Sequence, residues 1–231
     1  TLTVAVDDAN PGDSHTFDWS ATDNSLAGSD NNPMTLTFNP ANVNSGVYTA
    51  KVSVTDDGAP SETVSATLNI RVIQSYPTLS ANSDSDNDGI SDLAEGHQDS
   101  DSDGIADYLD QFEGSNWLQQ QIGSASSNDN SYLMQVEHGP SLSLGALALS
   151  DTDGGALISD ASFSNSDLFG QYGNDTSFTK VGGLFDFEIR DVSPAGSSVQ
   201  LVIPLHQAIP ENAVYRKLNP TFGWQDFVIN A

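Results

Sequence analysis

Cysteine is absent and basic residues are scarce, six against 32 acidic ones in 231 residues, for a formal net charge of −26. Without cysteine there is neither a disulfide framework nor a thiolate metal site, so a secreted domain of this kind needs another brace, and bound metal is one. So strong a negative charge repels nucleic acid and anionic lipid and makes cations the natural partners. No apolar run is long enough to span a bilayer, which argues against membrane insertion within the chain. Residues 1–7 have neither the basic nor the apolar region of a signal peptide, so the chain reads as an excised or processed piece. Hydrophobic residues make up only 37%, and Asp, Asn, Ser, Thr and Gly crowd the stretches between short apolar runs. That texture is all-β with polar loops.

Catalytic signatures are missing as well. His15, His97, His138 and His206 are dispersed through the chain, and there is no Gly-x-Ser-x-Gly elbow. Carboxylates are abundant, but a glycosidase needs two held at a fixed separation in a cleft, which abundance alone does not supply. Trp19 falls in a strand pattern and Trp224 in a strand-rich string, leaving Trp117 without an assigned role. The expectation is a chain that is not an enzyme.

Three segments differ in character. Residues 1–75 carry period-two patterns, clearest at Tyr48, Ala50, Val52 and Val54 and at Val64, Ala66, Leu68, Ile70 and Val72. Turn-rich stretches such as Asp56-Asp57-Gly58-Ala59-Pro60 separate them, which predicts a small β-sandwich. Residues 76–113 are polar and aspartate-dominated, with too few apolar residues for a core of their own, and without a ligand they should be disordered. Residues 114–231 return to strands and predict a second β-sandwich. There, Leu142 and Leu144 alternate, and Leu147 and Leu149 continue out of phase across Gly145-Ala146, which reads as a bulge. Phe185, Phe187 and Ile189 face opposite Asp186, Glu188 and Arg190, and Val199, Leu201, Ile203 and Leu205 form another one-sided series.

The middle segment carries the chemistry. Residues 84–95 place oxygens at loop positions one, three, five, nine and twelve: Asp84, Asp86, Asp88, Asp92 and Glu95. Calcium takes about six to eight oxygen ligands, and alternating aspartates let a turning backbone aim carboxylates at one point. Gly89 supplies the sharp turn, and the carbonyl of Ile90 is placed to complete the shell. Residues 99–110 repeat the pattern with Asp99, Asp101, Asp103, Asp107 and Asp110, with Gly104 at the turn and the carbonyl of Ile105 beside it. A solvated acidic linker is the plain reading of a charge run. Recurrence of every acidic and glycine position at a spacing of 15 residues argues against it. Magnesium resists dehydration and zinc wants nitrogen or sulfur donors, of which only His97 lies nearby. The acidic Asp151-Thr152-Asp153-Gly154-Gly155 and Asp56-Asp57-Gly58 read as turns instead.

These residues carry three resemblances. Gly46-Val47-Tyr48-Thr49-Ala50-Lys51-Val52-Ser53-Val54-Thr55-Asp56-Asp57-Gly58, with Phe17-Asp18-Trp19 upstream, resembles the PKD-type immunoglobulin-like domains, mostly spacers and adhesive units. That family's first strand would precede Thr1. Both acidic loops resemble thrombospondin type 3 repeats, which implies that they wrap calcium with little regular structure, leaving Ile90, Leu93, Ile105 and Tyr108 as a minimal apolar seam. Gly183-Leu184-Phe185-Asp186-Phe187-Glu188-Ile189, Val202-Ile203-Pro204-Leu205 and Gly223-Trp224-Gln225-Asp226-Phe227 resemble the choice-of-anchor U domain of bacterial surface proteins, whose last strands would come after Ala231.

Together these readings predict an all-β chain of two sandwich domains, 1–75 and 114–231, joined by a calcium-binding, mostly irregular linker at 76–113. The expected function is a calcium-stabilised structural or adhesive module, extracellular or on a cell surface. Its partners are calcium ions, with other copies of itself or surface glycans as further candidates. Two alternatives stand beside it: a filament subunit assembling by strand complementation, and a non-catalytic appendage of a secreted hydrolase.

Overall fold

The computed structural model describes residues 1–10, 12–28, 32–122, 132–151, 154–166, 169–219 and 221–227. They are rich in strands, with a few short helical segments, and divide into two compact units, Thr1–Pro77 and Thr78–Ala231. Both acidic loops fall in the second unit.

In the first unit, β1 (Leu2–Thr3) pairs with β3 (Thr35–Leu36), and β2 (His15–Asp18), β4 (Gly46–Asp56) and β5 (Thr63–Val72) form an antiparallel sheet in the order β2-β4-β5. The long β4–β5 ladder runs from Gly46 opposite Val72 to Thr55 opposite Thr63. Its register is set by alternation: Ala50, Val52 and Val54 turn inward, while Ser53 meets Ser65 and Thr55 meets Thr63 through their hydroxyls on the outer face. Leu26, Leu36, Val43, Ala50 and Val72 form a buried cluster that draws on both sheets, with Trp19 and Tyr48 packed against it. Both rings also satisfy their polar ends, Trp19 Nε1 donating to Pro33 O at 3.0 Å and Tyr48 Oη to Asn44 O at 2.9 Å. Asp56 Oδ1 accepts from the amides of Gly58 and Glu62, so this acidic stretch is a turn, as its sequence implies.

The second unit opens with the acidic loops, each of which contains a short helical turn: α1 (Asp92–Glu95) in the first and a 3-10 turn, Asp107–Leu109, in the second. After them come β6 (Trp117–Gln119), β7 (Leu133–Val136), β8 (Ser141–Leu144), α2 (Ala146–Ser150), β9 (Leu157–Ile158) and α3 (Asp160–Asn165). The remaining strands are β10 (Leu184–Phe185), β11 (Phe187–Arg190), β12 (Leu201–Val202), β13 (Arg216–Asn219) and β14 (Gly223–Asp226). All pairings are antiparallel: β12-β7-β6, β8 with β11, β9 with β10, and β13 with β14. Phe163, Leu118, Met134, Val136 and Leu142 lie at the centre, each almost fully buried.

One segment departs from the strand reading. The chain does not continue as a bulged strand past Leu144; it turns into the short helix α2, which buries Leu147, Ala148 and Leu149. The cause lies well downstream in the chain, at Asp186. Its Oδ2 accepts from the amides of Leu147 and Ala148 at 2.8 and 3.0 Å, satisfying donors that a helix start leaves bare. Gly145 makes this possible, because a Cβ there would collide with the Asp186 carboxylate. Asp186 thus separates β10 from β11 instead of pointing outward with Glu188 and Arg190. Residues 152–153 of the acidic stretch after α2 lie outside the described residues.

Candidate metal centre

The two acidic loops take the same backbone path, and side chains of the loop itself hold it in place. In the first, Asp84 Oδ2 accepts from Gly89 N at 3.2 Å, Asp86 Oδ1 from Asp88 N at 3.2 Å and Asp88 Oδ1 from Ile90 N at 2.6 Å. In the second, the same roles fall to Asp99 with Gly104 at 3.0 Å, Asp101 with Asp103 at 3.2 Å, and Asp103 with Ile105 at 2.7 Å. Short aspartate side chains capture amides two residues ahead in this way, competing with regular structure. Positive φ recurs at matching positions, Asn87 at 61° and Ser102 at 66°, then Gly89 at 97° and Gly104 at 100°. At the latter pair glycine avoids the Cβ crowding that other residues meet there.

Asp99 also accepts from Asp103 N through Oδ1 at 3.1 Å, so both of its oxygens are engaged, whereas several other carboxylate oxygens are left over. Asp84 Oδ1, Asp86 Oδ2, Glu95 Oε2, Asp101 Oδ2 and Asp110 Oδ2 are buried without a hydrogen-bond partner. Buried polar atoms ordinarily find partners, so five such oxygens in one short stretch mark a place where something positive is expected. Three groups are placed to hold a metal ion: Asp84, Asp86 and Asp88; Asp99, Asp101 and Asp103; and Asp101, Asp110 and Glu113. Within each group one oxygen per residue lies within 4.8 Å of the others.

Burial and mutual repulsion raise the proton affinity of these carboxyls. Burial lifts Asp103 to about 9, with Asp110 and Asp101 adding their charge. Asp110 rises to about 8, mainly through burial and then through Asp101, Glu113 and Asp86, against the opposing bond from Phe112 N. Glu95 and Glu113 both rise to about 7 and Asp86 to about 6, burial again the largest cause in each. Asp99 and Asp101 are raised for the same reason. Carboxyls crowded in this manner hold protons unless a cation replaces them.

Of the twelve residues expected from sequence, the structure brings Asp84, Asp86 and Asp88 together, and Asp99, Asp101 and Asp103. Glu95 stands where the charges of Asp86, Asp88 and Asp84 act on it, and Asp110 joins Asp101. Asp92 and Asp107 fall outside these groups. Both oxygens of Asp92 accept from Ser85, through its amide at 2.8 Å and its hydroxyl at 3.0 Å, and Ser100 clamps Asp107 identically at 2.8 and 2.7 Å. With its lone pairs turned toward serine, the ninth position closes the loop back on its start. The side chain of Ile105 is buried while that of Ile90 is open, so the expected apolar seam is half formed. Glu113 is the residue that the twelve-position frame passes over. It stands three residues beyond Asp110, and an acid at that spacing past the last frame position is the available signal.

The second loop is tied into the strands that come after it. Leu144 N donates to Asp103 O at 2.7 Å, Gln119 Nε2 to Leu109 O at 2.9 Å, and Gly104 lies so close to Leu149 that a Cβ would approach its Cδ2 to 2.9 Å. Three of the four histidines make ring or polar contacts: His15 Nε2 with Asp8 at 2.8 Å, His97 edge-on to Tyr108, and His206 stacked on Tyr132. Trp117 starts β6 opposite Gln135, and Trp224 donates from Nε1 to Gly173 O at 2.9 Å. No helix among the described residues is long and apolar enough to cross a membrane. Comparison with family models, with curated proteins and with solved structures finds no match to this chain.

Proposed function

We propose that the chain is a calcium-stabilised structural or adhesive module of a secreted or cell-surface bacterial protein, and not an enzyme. One observation carries the reading: buried carboxylate oxygens without hydrogen-bond partners, grouped around each acidic loop. An all-oxygen donor set of this density suits a hard cation, and calcium tolerates the irregular shell that a loop supplies better than magnesium does. Asp84, Asp86, Asp88 and Glu95, with the Ile90 carbonyl, would hold one ion. Asp99, Asp101, Asp103 and Asp110, with the Ile105 carbonyl, would hold another. The ions supply charge neutralisation, so that organising this segment and binding calcium form one equilibrium. Affinities of about 10⁻⁴–10⁻³ M, usual for extracellular modules, keep such sites filled outside cells.

In this reading Thr1–Pro77 is a PKD-like sandwich, the loops are thrombospondin type 3-like, and the later strands are a choice-of-anchor U-like domain. Surface glycans are the candidate ligands of an adhesive role, which a glycan panel would separate from a purely structural one. A second reading, self-assembly by strand addition, is favoured by β5, a ten-residue strand at the edge of its sheet. Electron microscopy and size-exclusion chromatography test it, and a strictly monomeric protein overturns it. The calcium reading is tested by the calcium content of the purified protein and by thermal melts with and without chelator. A chelator should lower the melting temperature; a metal-free protein with an unchanged melt contradicts the reading.

A further inference from the structure

The second loop is surrounded by more acid than one ion needs. Asp101 belongs both to the group with Asp99 and Asp103 and to the group with Asp110 and Glu113. Its Oδ1 accepts from Asp103 N, while its Oδ2 is buried without a hydrogen-bond partner. Asp110 is only 3% exposed. Its Oδ1 accepts from Phe112 N at 3.1 Å, and its Oδ2 is likewise buried and without a partner. An oxygen in that state lacks both water and a donor, which a folded chain tolerates poorly unless a cation or proton fills the place. Glu113 completes the group from the exposed side, where an ion could enter.

We propose that Asp101, Asp110 and Glu113 hold a divalent cation of their own, beside the ion of the second loop, with Asp101 and Asp110 shared between the two. The inference rests on the calcium reading of the loops and extends it from two ions to three. Two charges side by side are tolerable because the carboxylates around them outnumber the ions, and a shared aspartate can give one oxygen to each. Asp86 of the first loop, also 3% exposed and with Oδ2 lacking a partner, is close enough for its charge to act on both Asp110 and Glu113.

Native mass spectrometry of the whole chain in calcium counts the ions directly. The expected result is three per wild-type chain, two in Glu113→Gln, two in Asp84→Asn through loss of the first-loop ion, and one in the double variant. Glu113 is exposed, so its replacement leaves the fold standing, which circular dichroism checks; if it did not, the wild-type count alone would decide. Two ions in the wild type, or three retained in Glu113→Gln, overturn the proposal while leaving the calcium reading intact. No ion in the wild type overturns both.

Discussion

Residues 84–95 and 99–110 take the same turns, yet Ile90 after the first glycine is 51% exposed and Ile105 after the second is 2% exposed. The shared path comes from side chains within each loop: aspartates capturing amides ahead of them, and a serine clamped by the ninth-position aspartate. The difference comes from the packing partners of each loop. The second loop meets β8 and α2 through Asp103 and Gly104, and Ile105 is buried, whereas the first leaves Ile90 and Leu93 open to solvent. Motif chemistry therefore sets the shape of such a loop, and neighbouring apolar side chains decide how deeply it is buried.

The largest contrast expected is in the pH dependence of the ion-free protein. Asp103 at about 9 and Asp110 at about 8 exceed Asp86 at about 6 and Glu95 at about 7. All are acids whose folded values lie above the ordinary 3.8 or 4.5, so over that interval the folded chain binds more protons than the unfolded one. Their contribution to stability is then present at low pH and lost as pH rises from about 4 toward about 9. Melts in chelator should fall across this range, the decline above about pH 7 belonging mainly to the second loop. Saturating calcium should flatten the profile. A melting temperature that climbs with pH in chelator would break the comparison.

Next in size is the apolar residue after each glycine. In calcium, Ile105→Ala should destabilise the second unit by about 2–5 kcal/mol, the usual cost of emptying a buried site. Ile90→Ala should cost about 0.5 kcal/mol or less, as at an exposed position. Urea denaturation measures both, and equal losses would show that the loops are equally packed.

Much of this architecture is readable along the chain. Alternation at Ala50, Val52 and Val54 yields β4, the Asp56-Asp57-Gly58 turn is local, and the aspartates at positions one, three and five of each loop come together as their spacing implies. Other features depend on partners remote in sequence or outside the frame. Leu147 and Leu149 look like strand residues until Asp186 caps the turn beneath them. Asp92 and Asp107 carry an oxygen at a ligand position, and only the neighbouring serines reveal that each oxygen also accepts a hydrogen bond. Ile90 and Ile105 are the same residue at the same position, so no local pattern separates the exposed one from the buried one.

The clamp gives a smaller test. Asp107→Ala leaves Ser100 without its acceptors and should cost about 1–3 kcal/mol, while Ser100→Ala, which removes one donor, should cost about 0.5–1.5 kcal/mol. We expect neither to lower the number of calcium ions bound, because Asp107 lies outside the grouped carboxylates. Loss of an ion in either variant would return Asp107 to the coordination shell.

Amide hydrogen exchange across residues 84–113, with calcium and then with chelator, addresses the central claim most directly. Calcium should slow exchange in both loops, with the larger change in residues 84–95, because residues 99–110 are already held by β8 and α2. Exchange that is the same with and without calcium in both loops would contradict the calcium brace.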